Sequence, residues 1–253
     1  MIRSLILPRI YGPDALDPMR RAGKLTAQCL REVGAMVAPG VSTKALDDAV
    51  AAFCTRHGAV AAPLDYHGFP AHCCTSVNHV VAHGIPRDRA LRSGDIVKVD
   101  VALIVDGWHG DMCVTFPVGE IDVKSSLLIK AAKAGLDAGI ATAGPMRTTG
   151  DIGHAINSVV RKTSAFSVVE GLCGHGIGLE FHGLPNVPNV GRPGEGARLL
   201  PGMFITIEPI INAGQRFIST LADGTIVTRD RSRSAQFEHT IAITDNGVEI
   251  LTV

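Results

Sequence analysis

The sequence predicts an α+β fold with an internally duplicated half, on three observations. Helical patterns come in pairs, each pair is followed by strand patterns, and the order helix–helix–strand occurs twice along the chain. A strand run ending in Asp106-Gly107 reads as one arm of an antiparallel hairpin. Hydrophobic residues make up 46% of the chain and charged residues 19%, enough apolar side chains for a sizeable core. The two repeats interleave without a polar linker, so residues 1–253 read as a single domain in which residues 1–16 form an N-terminal arm.

The first helix is expected over Asp17–Val37, where Met19, Ala22, Leu25, Cys29, Val33 and Met36 recur at three- and four-residue spacing. Pro39-Gly40 stops it. Ser42 or Thr43 caps the second helix, with Leu46, Val50 and Phe53 on its buried face and Gly58 at its end. From Asp95 to Phe116 the pattern turns to strand. Ile96, Val97, Val99, Val101, Leu103, Ile104 and Val105 lead into the Asp106-Gly107 turn, and a return strand carries Trp108, Asp111, Val114 and Phe116. The second round opens with a helix near Lys124–Ile140, broken by Ala143-Gly144-Pro145. Another helix begins after Thr148 or Thr149, with Ile152, Ile156 and Val159 facing inward. Strands follow at Phe204–Glu208, Ile226–Arg229 and Gln236–Ile243.

Composition narrows the function classes. Lys plus Arg number 24, as do Asp plus Glu, so no net field draws the protein to nucleic acid or to a membrane surface. The apolar stretch Met1–Pro8 is too short for a signal peptide and no later run reaches membrane-spanning length. A soluble cytoplasmic protein is the expectation. The 6 cysteines include no Cys-x-x-Cys pair, so structural zinc is not expected and free buried thiols are, Cys73-Cys74 included.

The chemistry lies in a set of oxygen donors. Asp100, Asp111, Glu208 and Glu238, together with His175, each sit in a segment that reads as a strand or a tight turn. With a two-residue Asp106-Gly107 turn, Val105 faces Trp108 and Ala102 faces Asp111. Asp100 then shares a face with Asp111, diagonally across the pair, with Cβ atoms roughly 7–8 Å apart. Two buried like charges raise each other's pKa steeply unless a cation lies between them. Glu208 closes an apolar run and is followed by Pro209, which ends regular pairing. His175 lies in Cys173-Gly174-His175-Gly176, where glycines let the backbone approach an ion. Singly, each residue has an ordinary reading: a solvent-facing strand carboxylate, a loop histidine, or Glu208 paired with an arginine such as Arg231. Together they form an oxygen-rich set with one imidazole, suited to Mn, Fe, Co or Zn and compatible with Mg.

The surrounding motifs make the chain similar to a known family. They are Tyr66-His67-Gly68-Phe69-Pro70, Ser76-Val77-Asn78-His79-Val80-Val81-Ala82-His83-Gly84-Ile85-Pro86, and Asp106-Gly107-Trp108-His109-Gly110-Asp111. Further along come Cys173-Gly174-His175-Gly176-Ile177-Gly178, Thr206-Ile207-Glu208-Pro209, and Ser234-Ala235-Gln236-Phe237-Glu238-His239-Thr240. In this order they make the chain resemble the short bacterial type I methionine aminopeptidases, within the pita-bread superfamily, from Asp17 to Val253. The resemblance implies two αβ halves related by pseudo-twofold symmetry around a central antiparallel sheet, with two divalent metal ions between them. It implies that Asp100 chelates one metal, that Asp111 and Glu238 bridge both, and that His175 and Glu208 complete the second site. Water between the ions would attack the first peptide bond, with Glu208 as general base. His182 would hydrogen-bond the scissile amide, and His83 would donate to the leaving nitrogen or steady the intermediate. Tyr66, Phe69, Cys74 and Phe181 would line an apolar pocket sized for a thioether.

The implied reaction is removal of the initiator methionine from nascent proteins and peptides, by a monomer with no nucleic-acid or membrane partner. A transient ribosome contact would fall to the protein's own surface, since no zinc-finger extension precedes Asp17. Which metal is used in the cell stays open among Co, Mn, Fe and Zn. The chain departs from the family pattern where Asp223-Gly224 is followed by Thr225 rather than Trp, which is expected to widen one pocket wall; Trp108 is its only tryptophan. Gly183-Leu184-Pro185 after His182, and His79, replace residues that are often acidic. An Xaa-Pro peptidase of the same superfamily is disfavoured by Glu208-Pro209-Ile210 in place of a Glu-Pro-Gly turn. A non-catalytic binding module is disfavoured because every implied ligand is present.

Overall fold

Each half of the chain opens with a pair of helices and continues into antiparallel strands. The computed structural model describes residues 7–162 and 165–253. The first half runs α1 (Leu16–Gly34), α2 (Thr43–His57), β1 (Val60–Ala61), β2 (Cys74–Val77), β3 (Val80–Ala82), β4 (Ile96–Val105) and β5 (Trp108–Pro117). The second runs α3 (Val123–Thr142), α4 (Thr149–Arg161), β6 (Ser167–Val168), β7 (Cys173–Gly176), β8 (Gly183–Pro188) and β9 (Phe204–Ile207). It finishes with β10 (Ile210–Asn212), β11 (Ile218–Thr220), β12 (Ile226–Thr228), β13 (Ser234–Gln236), β14 (His239–Thr244) and β15 (Gly247–Ile250). The first six residues of the expected arm, and most of the Met1–Pro8 stretch, lie outside the described residues.

Local signals placed the helices to within a few residues. α1 ends at Gly34 rather than Val37, because Met36 and Val37 donate to carbonyls only three residues back, at 3.0 and 3.1 Å. Met36, the last residue of the expected apolar spacing, lies beyond the helix and is exposed. Ser42, not Thr43, caps α2: its side chain accepts from the Ala45 amide, and Gly58 closes the helix in the left-handed region at φ 65°. Thr148 caps α4 in a reciprocal capping box with Asp151. On α4 the inward residue is Val160 and not Val159, since Ile152, Ile156 and Val160 follow the four-residue repeat.

Strand 96–105 is the spine of the first sheet, where β4 pairs antiparallel with β1, β2 and β5. Asp106 (φ 51°) and Gly107 (φ 82°) form the two-residue turn, and the register sets Val105 opposite Trp108 and Ala102 opposite Asp111, as expected. In the second half the order is β15-β14-β9-β7-β8. Two small sheets, β13-β10-β6 and β11-β12-β3, complete the fold, the latter pairing a first-half strand with a second-half one. The expected strand Ile226–Arg229 stops at Thr228. The expected strand Gln236–Ile243 is broken at Phe237–Glu238, because the Glu238 amide leaves its own sheet to donate to the Cys113 carbonyl of β5 at 2.9 Å. That break aims Glu238 at Asp111.

Each half has its own apolar core. Leu30, Leu46, Phe53, Val99 and Leu103 pack in the first, and Leu128, Leu136, Ile156, Ile205 and Ile241 in the second. Burial of each such side chain contributes about 1.5–3 kcal/mol. Lys98 runs between the halves, fully buried, its Nζ donating to the Ser234 carbonyl at 2.6 Å and to the Asn78 carbonyl at 3.4 Å. The cysteines are free thiols, buried except for the half-buried Cys173. No helix among the described residues is long and apolar enough to cross a membrane.

Candidate metal centre and substrate cleft

All the residues singled out in the sequence line one cleft of about 520 Å³, where the two halves meet. At its base β4 and β5 present Asp100 and Asp111 on one face, β7 presents His175, the end of β9 presents Glu208, and the break before β14 presents Glu238. Ligand atoms of Asp111, His175 and Glu238 lie within 4.8 Å of one another. His175 Nε2 is 3.6 Å from Asp111 Oδ2 and 3.8 Å from Glu208 Oε1. The expected alternative for Glu208, pairing with Arg231, does not occur. Glu208 instead accepts from Thr206 Oγ1 at 3.2 Å and from Gln236 Nε2 at 3.3 Å.

The electrostatics of this cluster are those of a cation site. Burial, and then the charges of Asp111 and Glu208, hold the Asp100 carboxyl well above the carboxylate range, and burial with the Asp111 charge does the same to Glu238. Burial pushes Glu208 up to about 7, against the counteracting charge of His175. His175 goes the other way from ordinary burial: desolvation lowers its pKa, but its hydrogen bond to Asp111 and the charge of Glu208 raise it more. Among the described residues the only ion-pair partner of these carboxylates is His175. Asp111 Oδ1 and Glu238 Oε1 are buried with no hydrogen-bond partner. Leaving two carboxylate oxygens orphaned beside like charges is costly, and divalent cations remove that cost.

The donors are also set up to ligate. His175 Nδ1 lies 3.0 Å from the Gly176 carbonyl, which can only accept, so Nδ1 carries a proton and Nε2 is the nitrogen turned toward the carboxylates, available to a metal once its own proton is lost. Its backbone amide donates to Thr206 Oγ1, which in turn donates to Glu208, so one threonine orients two ligands. Thr240 does the same for β5: its hydroxyl donates to the Asp111 carbonyl and accepts from the Asp111 amide. Gly110 is required by close packing, since a Cβ there would lie 2.7 Å from both the Ala22 carbonyl and Thr26 Oγ1.

Above the cluster stand the histidines and the apolar wall. His83 is a non-glycine residue held in the left-handed region at φ 55°, a strained backbone that recurs at functional sites. Burial lowers its pKa, and burial with the His175 charge lowers that of His182 to about 4, so both are neutral at neutral pH. His182 Nδ1 meets the Tyr66 hydroxyl at 2.9 Å. Tyr66, Phe69, Cys74 and Phe181 form the wall, with the Tyr66 and Phe181 rings edge-on at 5.0 Å. Asp223 and Gly224 also line the cleft, while Thr225, where the family pattern has tryptophan, is buried beside them and does not line it. Sequence reading missed His67, Pro63 and the supporting Thr206, Gln236 and Thr240. His67 was legible as a neighbour of Tyr66; the others act through contacts distant in sequence.

Residues 17–245 match metallopeptidase family M24. The methionine aminopeptidase of Rickettsia prowazekii (strain Madrid E) is 48% identical over 97% of this chain and 95% of that protein. The chain belongs to family M24, among the bacterial type I methionine aminopeptidases. The Escherichia coli (strain K12) methionine aminopeptidase is 44% identical over 96% of this chain and 93% of its own length. The crystal structure of the Rickettsia prowazekii methionine aminopeptidase superposes with a TM-score of 0.94 at 45% identity, covering 98% of this chain and 100% of that one. This M24 peptidase therefore has the pita-bread fold, and it is a hydrolase of the aminopeptidase class. Prolidase from Pyrococcus furiosus superposes at 0.77 with 19% identity, over 96% of this chain and 65% of its own, a likeness of fold alone.

Proposed function

We propose that this methionine aminopeptidase removes the initiator methionine from nascent proteins and peptides, using two divalent metal ions at the base of the cleft. The observation that carries the reading is the pair of orphaned carboxylate oxygens, on Asp111 and Glu238, at the floor of a cleft walled by Tyr66, Phe69, Cys74 and Phe181. Asp100 would hold one ion, Asp111 and Glu238 would be shared, and His175 Nε2 and Glu208 would hold the other. When bound, such ions lower the pKa of water and polarise a carbonyl.

The chain's own groups do the rest. Glu208, at the floor of the cleft, would accept the proton of the attacking water and return it to the leaving amine. His182 is neutral and anchored through Nδ1 by the Tyr66 hydroxyl, which leaves Nε2 free to hydrogen-bond the scissile amide. His83, which lines the cleft with its pKa lowered by burial, would donate to the leaving nitrogen or steady the intermediate. The aromatic wall takes the thioether by shape. Discrimination between side chains differing by one methylene is then about 1–3 kcal/mol. The protein would work as a single-domain monomer in the cytoplasm, meeting the ribosome transiently through its own surface, with no nucleic-acid or membrane specificity.

The test is release of free methionine from Met-Ala-Ser by metal-stripped protein supplied with Co, Mn, Fe(II) or Zn, beside an Ala-Pro-Ser control. Metal-dependent loss of methionine alone is expected. Cleavage of Ala-Pro-Ser instead would move the protein to the Xaa-Pro branch, and no cleavage despite bound metal would overturn the catalytic reading.

A further inference from the structure

The loop from Ile177 to His182 joins β7 to β8 and carries Phe181 and His182 into the cleft. Its middle is solvent-exposed, Leu179 being 42% accessible, so its position rests on what it is tied to. One tie comes from β5. The backbone amide and Nδ1 of His109 both donate to the Gly178 carbonyl, at 2.9 and 2.8 Å, and the His109 ring stacks on Phe181 at 5.6 Å.

The other tie comes from the N-terminal arm. The Leu179 amide donates to the Tyr11 hydroxyl at 3.1 Å. The same ring lies so close over Gly178 that a Cβ there would collide with the hydroxyl and its ring carbons. Tyr11 is itself pinned: its amide donates to the Gly202 carbonyl at 2.9 Å, and its ring packs on Trp108 at 5.1 Å and Phe204 at 5.4 Å. A residue that only packed could be phenylalanine. The hydroxyl is needed for one thing, to accept from the catalytic-side loop.

We propose that Tyr11 is a positioning residue whose hydroxyl, acting beside the His109 tie, latches the Gly178–His182 loop and so helps to hold Phe181 and His182 in the cleft. This rests on the roles assigned above to Phe181 and His182. Without the latch the Leu179 amide turns to water, the loop spends less time in the productive arrangement, and turnover falls by that fraction.

The experiment uses the full-length, metal-loaded protein and Tyr11→Phe, which keeps the ring and removes the acceptor. A single lost hydrogen bond of ordinary strength corresponds to about a three- to tenfold fall in kcat on Met-Ala-Ser, with a smaller rise in KM and Tm within about 2 °C of wild type. The Leu179 amide should exchange faster with deuterium by a similar factor. Tyr11→Ala should in addition alter the emission of Trp108, the only tryptophan and a direct neighbour of the ring. Wild-type kcat in Tyr11→Phe, while His182→Ala is impaired, overturns the latch and leaves Tyr11 a packing residue. If His182→Ala and Phe181→Ala are also unimpaired, the assigned roles fail instead, and Leu179 exchange alone decides the latch: acceleration upholds it, no change overturns it.

Discussion

Replacing Asp111 with Asn should abolish the protein's stabilisation by metal. Ligand atoms of Asp111, His175 and Glu238 lie within 4.8 Å of one another, and Asn takes away both a charged donor and the carboxylate 3.6 Å from His175 Nε2. Wild type at 100 times its Kd gains about 2.7 kcal/mol, and the variant gains none. For a chain of this size that difference is a Tm shift of about 5–11 °C. Scanning calorimetry at pH 8, with chelator and then with Mn(II), reads the effect, and metal content per chain checks that the site is lost. A variant stabilised by Mn(II) as fully as wild type would refute the reading of this cluster as a charged cation site.

Other perturbations probe separate parts of the reasoning. Glu208→Gln should lower kcat by about 10²–10⁴ under saturating metal, the usual worth of a general base, and activity within threefold of wild type would remove that role. Gly110→Ala forces a methyl to within 2.7 Å of the Ala22 carbonyl and should cost about 1–3 kcal/mol in urea unfolding, with no loss expected only if α1 can move away. His239, bonded through Nδ1 to Thr252 Oγ1, is held near pKa 4 by burial, against an ordinary 6.5. The unfolded chain binds its proton first, so this residue's stabilisation is complete above pH 6.5 and is lost as pH falls toward 4. His239→Gln should flatten the fall in stability between those limits, measured by urea titrations at pH 7 and 5; an unchanged slope would show that the imidazole does not contribute to it.

Much of the site was legible because its parts are local. The Asp-Gly turn and the period-two alternation of β4 and β5 put Asp100 and Asp111 on one face without any knowledge of the rest of the chain. The Ser42 and Thr148 caps, the glycine at the end of α2 and the apolar repeat of α4 are short-range chemistry of the same kind. Errors came where a neighbour overruled the local pattern. Gln236 to Ile243 alternates well enough to read as one strand, yet the carbonyl of Cys113, more than a hundred residues earlier, takes the Glu238 amide and breaks it.

The sequence by itself determined the residue types, their faces and the family, since oxygen donors, turns and amphipathic periods are written in residues a few places apart. Tertiary structure decided which donors converge, that Thr206 orients two of them, that His175 turns Nε2 toward the carboxylates, and that Tyr11 reaches the loop beside the cleft. Those outcomes depend on contacts between segments far apart in the chain, where burial strips away water and leaves each polar group to be satisfied by whichever partner the packing supplies.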